Sequence, residues 1–96
     1  MKIEIEFIGF PLISDIFQRG LRTYSFRGST LSELVEDLIE RFGDPVKESL
    51  QDQQTKTFDR AIQIIVNQEE YLSGELEHRT IEEGDKITFL RLLAGG

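Results

Sequence analysis

Gly28-Ser29-Thr30-Leu31-Ser32-Glu33-Leu34-Val35-Glu36-Asp37-Leu38-Ile39-Glu40-Arg41-Phe42-Gly43 is a helix with both of its ends written into it. Thr30 can accept a hydrogen bond from the amide of Glu33 while the Glu33 carboxylate reaches back to the amide of Thr30, a reciprocal cap that starts the helix at Thr30. Leu31, Leu34, Val35, Leu38, Ile39 and Phe42 then recur at helical spacing and form one apolar stripe. Ser32, Glu33, Glu36, Asp37, Glu40 and Arg41 make the opposite, solvated face. Gly43 followed by Pro45 supplies the stop. A helix with one apolar stripe needs a second apolar surface to cover it.

The flanking segments supply that surface as strands. Lys2-Ile3-Glu4-Ile5-Glu6-Phe7-Ile8 alternates with period two, placing Ile3, Ile5 and Phe7 on one face and the charges on the other. Gly9, Phe10 and Pro11 interrupt it, and Leu21 to Phe26 resumes a strand with Tyr24 and Phe26 on one side. After the helix, residues 44–59 are polar with Val46, Leu50 and Phe58 as anchors, which predicts a short helix and then a loop. Ala61 to Val66 suits a buried strand ended by Asn67, and a short strand follows. The Glu82-Glu83-Gly84-Asp85 turn leads into a closing strand, Lys86 to Leu90. The order strand, strand, helix, strand, short strand, strand does not alternate as a doubly wound domain would. It predicts an α+β domain, a sheet of four to five strands with one main helix packed across it, spanning residues 1–90.

Composition narrows the function. Ninety-six residues make one domain, and 11 Lys plus Arg against 18 Asp plus Glu give a net charge of -7, which repels phosphate backbones and anionic lipids. Neither nucleic acid nor a membrane is expected as partner. No cysteine is present, which excludes thiolate metal sites and cysteine nucleophiles. His78 is the sole histidine, and acid–base or metal work would need converging partners that its surroundings, Glu75-Leu76-Glu77-His78-Arg79, do not supply. Glu69-Glu70 and Glu82-Glu83 diverge in extended chain, and Glu36 with Glu40 repel across one helical turn. No glycine pattern cradles a nucleotide. A catalytic residue, a bound cofactor and a metal are therefore not expected. No apolar window approaches a spanning segment, which predicts a cytoplasmic protein, a monomer when free.

Residues 91–96, Arg-Leu-Leu-Ala-Gly-Gly, follow the closing strand as a predicted flexible tail. Ala94, Gly95 and Gly96 lack bulk, so the segment can thread a narrow channel, and five extended residues from Leu92 reach about 17 Å. A terminal carboxylate on Gly96 would be ionised and poorly electrophilic at neutral pH. Chemistry at it requires activation, most simply as an acyl-adenylate made by a partner that binds ATP. Attack on the activated carbonyl by sulfur would leave a thiocarboxylate; attack by a lysine amine would leave an isopeptide bond. Phe89, Leu90, Leu92 and Leu93 beside the tail could dock apolar groups of a partner, Arg91 could meet an acidic group on it, and the net acidity favours a basic one.

Taken together, Gly28-Ser29-Thr30-Leu31-Ser32-Glu33-Leu34-Val35, Ile64-Ile65-Val66-Asn67 and Ile81-Glu82-Glu83-Gly84-Asp85-Lys86-Ile87, followed by Ala94-Gly95-Gly96, resemble the MoaD/ThiS family of ubiquitin-like sulfur carrier proteins. The resemblance implies a β-grasp fold with a mixed sheet and adenylation of Gly96 by an enzyme similar to the ubiquitin-activating class. It further implies a Gly96 thiocarboxylate that gives its sulfur to an acceptor synthase subunit in molybdopterin, tungstopterin or thiamine biosynthesis. Within the family the chain resembles the small subunit of molybdopterin synthase. Such subunits usually carry a Pro-Pro pair where this chain has Arg91-Leu92, and residues 44–59 are longer than in the thiamine-type carriers. A ubiquitin-like modifier joined to lysines through Gly96, and a β-grasp binding module, are the alternatives.

Overall fold

In a computed structural model, residues 1–11, 13, 22–52, 54–55, 58–59, 61–71 and 79–91 are described. The elements are β1 (Lys2–Ile8), β2 (Arg22–Ser25), α1 (Leu31–Phe42), α2 (Asp44–Leu50), β3 (Ile62–Val66), β4 (Glu69–Tyr71) and β5 (Lys86–Arg91). They follow the order expected from the sequence, with the short helix now placed at α2. Leu21 lies outside the described residues.

The start of α1 is built as its sequence requires. The Glu33 amide donates to the Thr30 hydroxyl at 3.2 Å, and one Glu33 carboxylate oxygen accepts from the amides of Ser29 and Thr30, each at 3.0 Å. These bonds, the Ser29 amide foremost, hold the Glu33 carboxyl below the ordinary glutamate range. Its contribution to the cap is therefore present above that range and lost as pH falls through the lowered value. At the other end Gly43, with φ of 76°, donates its amide to the Ile39 carbonyl at 2.8 Å. Its own carbonyl accepts from Val46 and Lys47. One left-handed residue thus closes α1 and opens α2, where Pro45 sits in the first turn. Val46 and Leu50 anchor α2 by full burial, while the rest of its surface remains polar.

The five strands form one mixed sheet in the order β2-β1-β5-β3-β4. β5, last in sequence, lies at the centre. It runs parallel to β1, pairing Ile5 with Ile87 and Phe7 with Phe89, and antiparallel to β3, pairing Ile64 with Phe89 and Val66 with Ile87. Directly paired residues share a face, so Ile3, Ile5, Ile62, Ile64, Val66, Ile87 and Phe89 form one continuous apolar floor. Leu31, Leu34, Val35 and Leu38 of α1 are buried with it in one core. This is the β-grasp, ubiquitin-like fold.

Asp37 departs from the expected solvated face. The Tyr24 hydroxyl of β2 donates to Asp37 Oδ2 at 2.5 Å, and the Arg41 guanidinium lies 5.0 Å from the centre of the Tyr24 ring. The pair ties the edge strand to the helix. Burial, then the hydrogen bond and charge of Asp37, push the Tyr24 phenol well above its ordinary value, against a smaller opposing pull from Arg41.

Two outcomes follow. A phenol whose ionisation is raised on folding contributes stability that is complete below about pH 10 and is lost as pH climbs above it. Absorbance titration of the folded protein should show a tyrosine ionising late, and Tyr24→Phe should remove that step. The β3–β4 turn places Asn67 at φ 50° and Gln68 at φ 76°, a two-residue turn in which glycine is the unstrained choice at the second position. Gln68→Gly should raise unfolding free energy by about 0.5–1 kcal/mol in denaturant titrations, since relief of the left-handed strain exceeds glycine's entropic cost.

Candidate functional site: the open sheet face and the end of β5

The face of the sheet away from α1 carries Glu4, Glu6 and Ile8 of β1, Lys86, Thr88 and Leu90 of β5, and Gln63 and Ile65 of β3, by strand alternation. Toward the end of β5 this surface turns apolar. Ile8, 44% exposed, pairs with half-buried Leu90, which pairs with Gln63 on its other side. Toward the start of β5 a shallow depression of about 450 Å³ is lined by Ile65, Asn67, Gln68, Lys86 and Thr88. Thr88 is buried there, its hydroxyl 3.5 Å from Glu6 Oε1.

The site expected from the sequence divides in the structure. Leu92, Leu93, Ala94, Gly95 and Gly96 lie outside the described residues, as does His78. Leu90 is half-buried on the open face. Phe89 is not, and its assignment to a partner-binding surface is corrected. It is fully buried, stacked on Phe7 with ring centroids 5.0 Å apart and planes 13° from parallel. Phe89 is two residues from Ile87 and directly beside Phe7 and Ile64, so the pleat turns it into the core.

Arg91 belongs to β5, one residue beyond the expected strand end, because it pairs with Ile62 of β3. Its guanidinium lies 3.4 Å from Asp59 Oδ2, so a charge expected to face a partner or solvent is engaged within the chain. Gly9, just past β1, approaches the Arg91 carbonyl so closely that a Cβ there would overlap its oxygen and lie 3.3 Å from its carbon.

Sequence reasoning missed Gly9, Asp59 and a polar knot at the start of β5. Asp85, read as a turn residue, is 6% exposed. It accepts from the Asn67 side-chain amide at 2.7 Å and from the Glu82 backbone at 2.8 Å, with Arg79 at 3.6 Å. Asn67 in turn accepts from the Lys86 amide at 2.9 Å. This knot sets the register at which β5 enters the sheet. Among the described residues no group of three His, Cys, Asp or Glu side chains is placed to hold a metal ion. Among the same residues no helix is long and apolar enough to cross a membrane.

No family model matches the chain, and no curated protein matches it in sequence. Solved structures do match in fold. The crystal structure of SAMP1 from Haloferax volcanii superposes with a TM-score of 0.73 at 13% identity, covering 100% of both chains. A crystal structure of H. volcanii small archaeal modifier protein 1 gives 0.69 at 12% identity, covering 96% of this chain and 98% of that one. The Amycolatopsis orientalis BexX/CysO complex gives 0.64 at 21% identity, covering 98% and 99%. The fold expected from the sequence resemblance is therefore the fold found.

Phe89→Ala distinguishes a core residue from a docking residue. Its burial predicts a loss of about 3–5 kcal/mol of stability, measured by denaturant unfolding, where a surface residue would lose little.

Proposed function

We propose that this chain is a ubiquitin-like sulfur carrier, a substrate protein and not a catalyst. The observation that carries this reading is the position of β5: the central, doubly paired strand is followed in sequence by Leu92-Leu93-Ala94-Gly95-Gly96, and an apolar patch of Ile8 and Leu90 lies at its end. A rigid strand anchoring a slim segment is what delivery of a carboxyl group into a partner's narrow site demands. The family resemblance and the shared β-grasp fold support the same reading.

The chemistry begins with an ATP-dependent partner. A Gly96 carboxylate oxygen attacks the α-phosphorus of ATP, pyrophosphate leaves, and the acyl-adenylate makes the carbonyl electrophilic. A sulfide equivalent then attacks the carbonyl carbon and AMP departs, leaving the thiocarboxylate. An acceptor synthase subunit consumes that sulfur, and the resemblance favours the molybdopterin or tungstopterin pathway over the thiamine pathway. No thiol of the chain is needed, since sulfur is carried on Gly96 itself. The Ile8 and Leu90 patch is the docking surface for these partners, with the acidic surface steering toward basic ones. The work is placed in the cytoplasm, with the free carrier monomeric.

A second reading, conjugation to lysines through Gly96, draws support from the fold match to a protein named a modifier. Both share the adenylation step and differ only in the nucleophile.

The intact mass of the protein, purified gently from its native host, tests the proposal. A fraction heavier by the exchange of one oxygen for sulfur, sensitive to alkylation and mapping to Gly96, is the expected result. Linkage of Gly96 to lysines of other proteins would transfer the assignment to the modifier reading. Gly96 replaced by a bulky residue should fold normally and abolish complementation of a deletion strain; full complementation would remove the carrier reading.

A further inference from the structure

The end of β5 is held from three sides. On the β3 side Arg91 pairs with Ile62. On the β1 side the last parallel pair is Ile8 with Leu90, after which Gly9 turns the chain away at φ 85° with its backbone against the Arg91 carbonyl. On the third side stands Asp59, itself immobilised. Its amide donates to the Leu50 carbonyl at 2.9 Å, its carbonyl accepts from Ile62 at 3.1 Å, and its Oδ1 accepts from the Ala61 amide at 2.9 Å. The remaining oxygen, Oδ2, faces the Arg91 guanidinium.

This arrangement exceeds what sheet pairing requires. The ion pair connects the loop between α2 and β3 to the last residue of the central strand, and the glycine lets two backbones meet where any side chain would force them apart. Leu90 lies on the open face and Arg91 follows it, so a fixed Arg91 also fixes the distance from that face to the point where the chain leaves the sheet. A partner that grips the face and acts on Gly96 reads that distance. Misplacement by 1 Å can cost about a hundredfold in rate.

We propose that Gly9 and Asp59 are positioning residues that clamp Arg91 and so fix the end of β5, the last point of the fold before the residues that lead in sequence to Gly96. The proposal rests on the carrier reading for its consequence, while the clamp has a test of its own.

Asp59→Asn, Gly9→Ala, Arg91→Asp and the exchanged pair Asp59→Arg with Arg91→Asp are compared with wild type by thermal melting, by ¹⁵N relaxation at Arg91 against Ile64, and by ATP–pyrophosphate exchange with the activating enzyme of the native host. Asp59→Asn keeps the test valid should Gly9→Ala fold poorly. The single charge variants should lower the heteronuclear NOE at Arg91 without altering Ile64. They should also reduce kcat for adenylation about 5–10-fold with KM little changed, because the docking face is intact. The exchanged pair should recover part of both, since it restores the ion pair but loses the bond that Asp59 Oδ1 accepts from the Ala61 amide. An Arg91 as ordered as wild type in Asp59→Asn, or a kcat unchanged in both single charge variants, would overturn the proposal. If wild type itself supports no adenylation, the carrier reading fails and the relaxation data alone decide whether the clamp exists.

Discussion

The parallel ladder between β1 and β5 is the contact on which the rest of this molecule depends. It joins the first strand to the last, and only when it forms do Ile3, Ile5 and Phe7 lie beside Ile87 and Phe89 in one apolar floor. Without that floor the stripe of α1 has nothing to cover, and the β5-β3-β4 half of the sheet is not joined to β1 and β2. Parallel pairing needs a long connection, and the intervening chain supplies the second strand, both helices and the β3–β4 hairpin. Closing so large a loop carries an entropic cost, offset by the burial of whole side chains at about 1.5–3 kcal/mol each.

Because β5 is central, its two ends receive different treatment. At its entry the Asp85 and Asn67 knot, with Arg79 beside it, specifies register with side-chain hydrogen bonds around the buried Asp85 that a one-residue slip would break. At its exit the described residues form no such knot. Gly9 and Asp59 hold Arg91 by close backbone approach and one partly exposed ion pair. The entry is thus held by side-chain hydrogen bonds and the exit by a close backbone approach and an ion pair.

The open face is a side of the sheet that the helices leave uncovered. The helix-facing side of the sheet is committed to the core, while the other side stays open toward the end of β5. There the apolar residues are few, Ile8, Leu90 and Ile65, and they are mixed with Glu4, Glu6, Lys86 and Gln63. Such a mixture suits reversible docking, in which charge governs encounter and a small apolar centre supplies the affinity.

Local sequence alone determined α1 and its cap, the alternation of β1, the stop at Gly43 and the order of elements, because each follows from interactions within about four residues or from a repeat of two or 3.6. It also determined the chemical character of the Gly95-Gly96 segment, which is a matter of residue type. Tertiary structure decided what depends on distant neighbours. Phe89 is core and not surface because Phe7 and Ile64 flank it, although its alternation with Ile87 already hinted at an inward direction. Asp37 is engaged and not solvated because β2 brings Tyr24 to it. Asp85, Asp59 and Gly9 look like ordinary turn and loop residues in one dimension. Their roles arise only where Asn67, Arg91 and the end of β5 are brought beside them, since a hydrogen bond or a close backbone approach has no local signature when its partner lies tens of residues away.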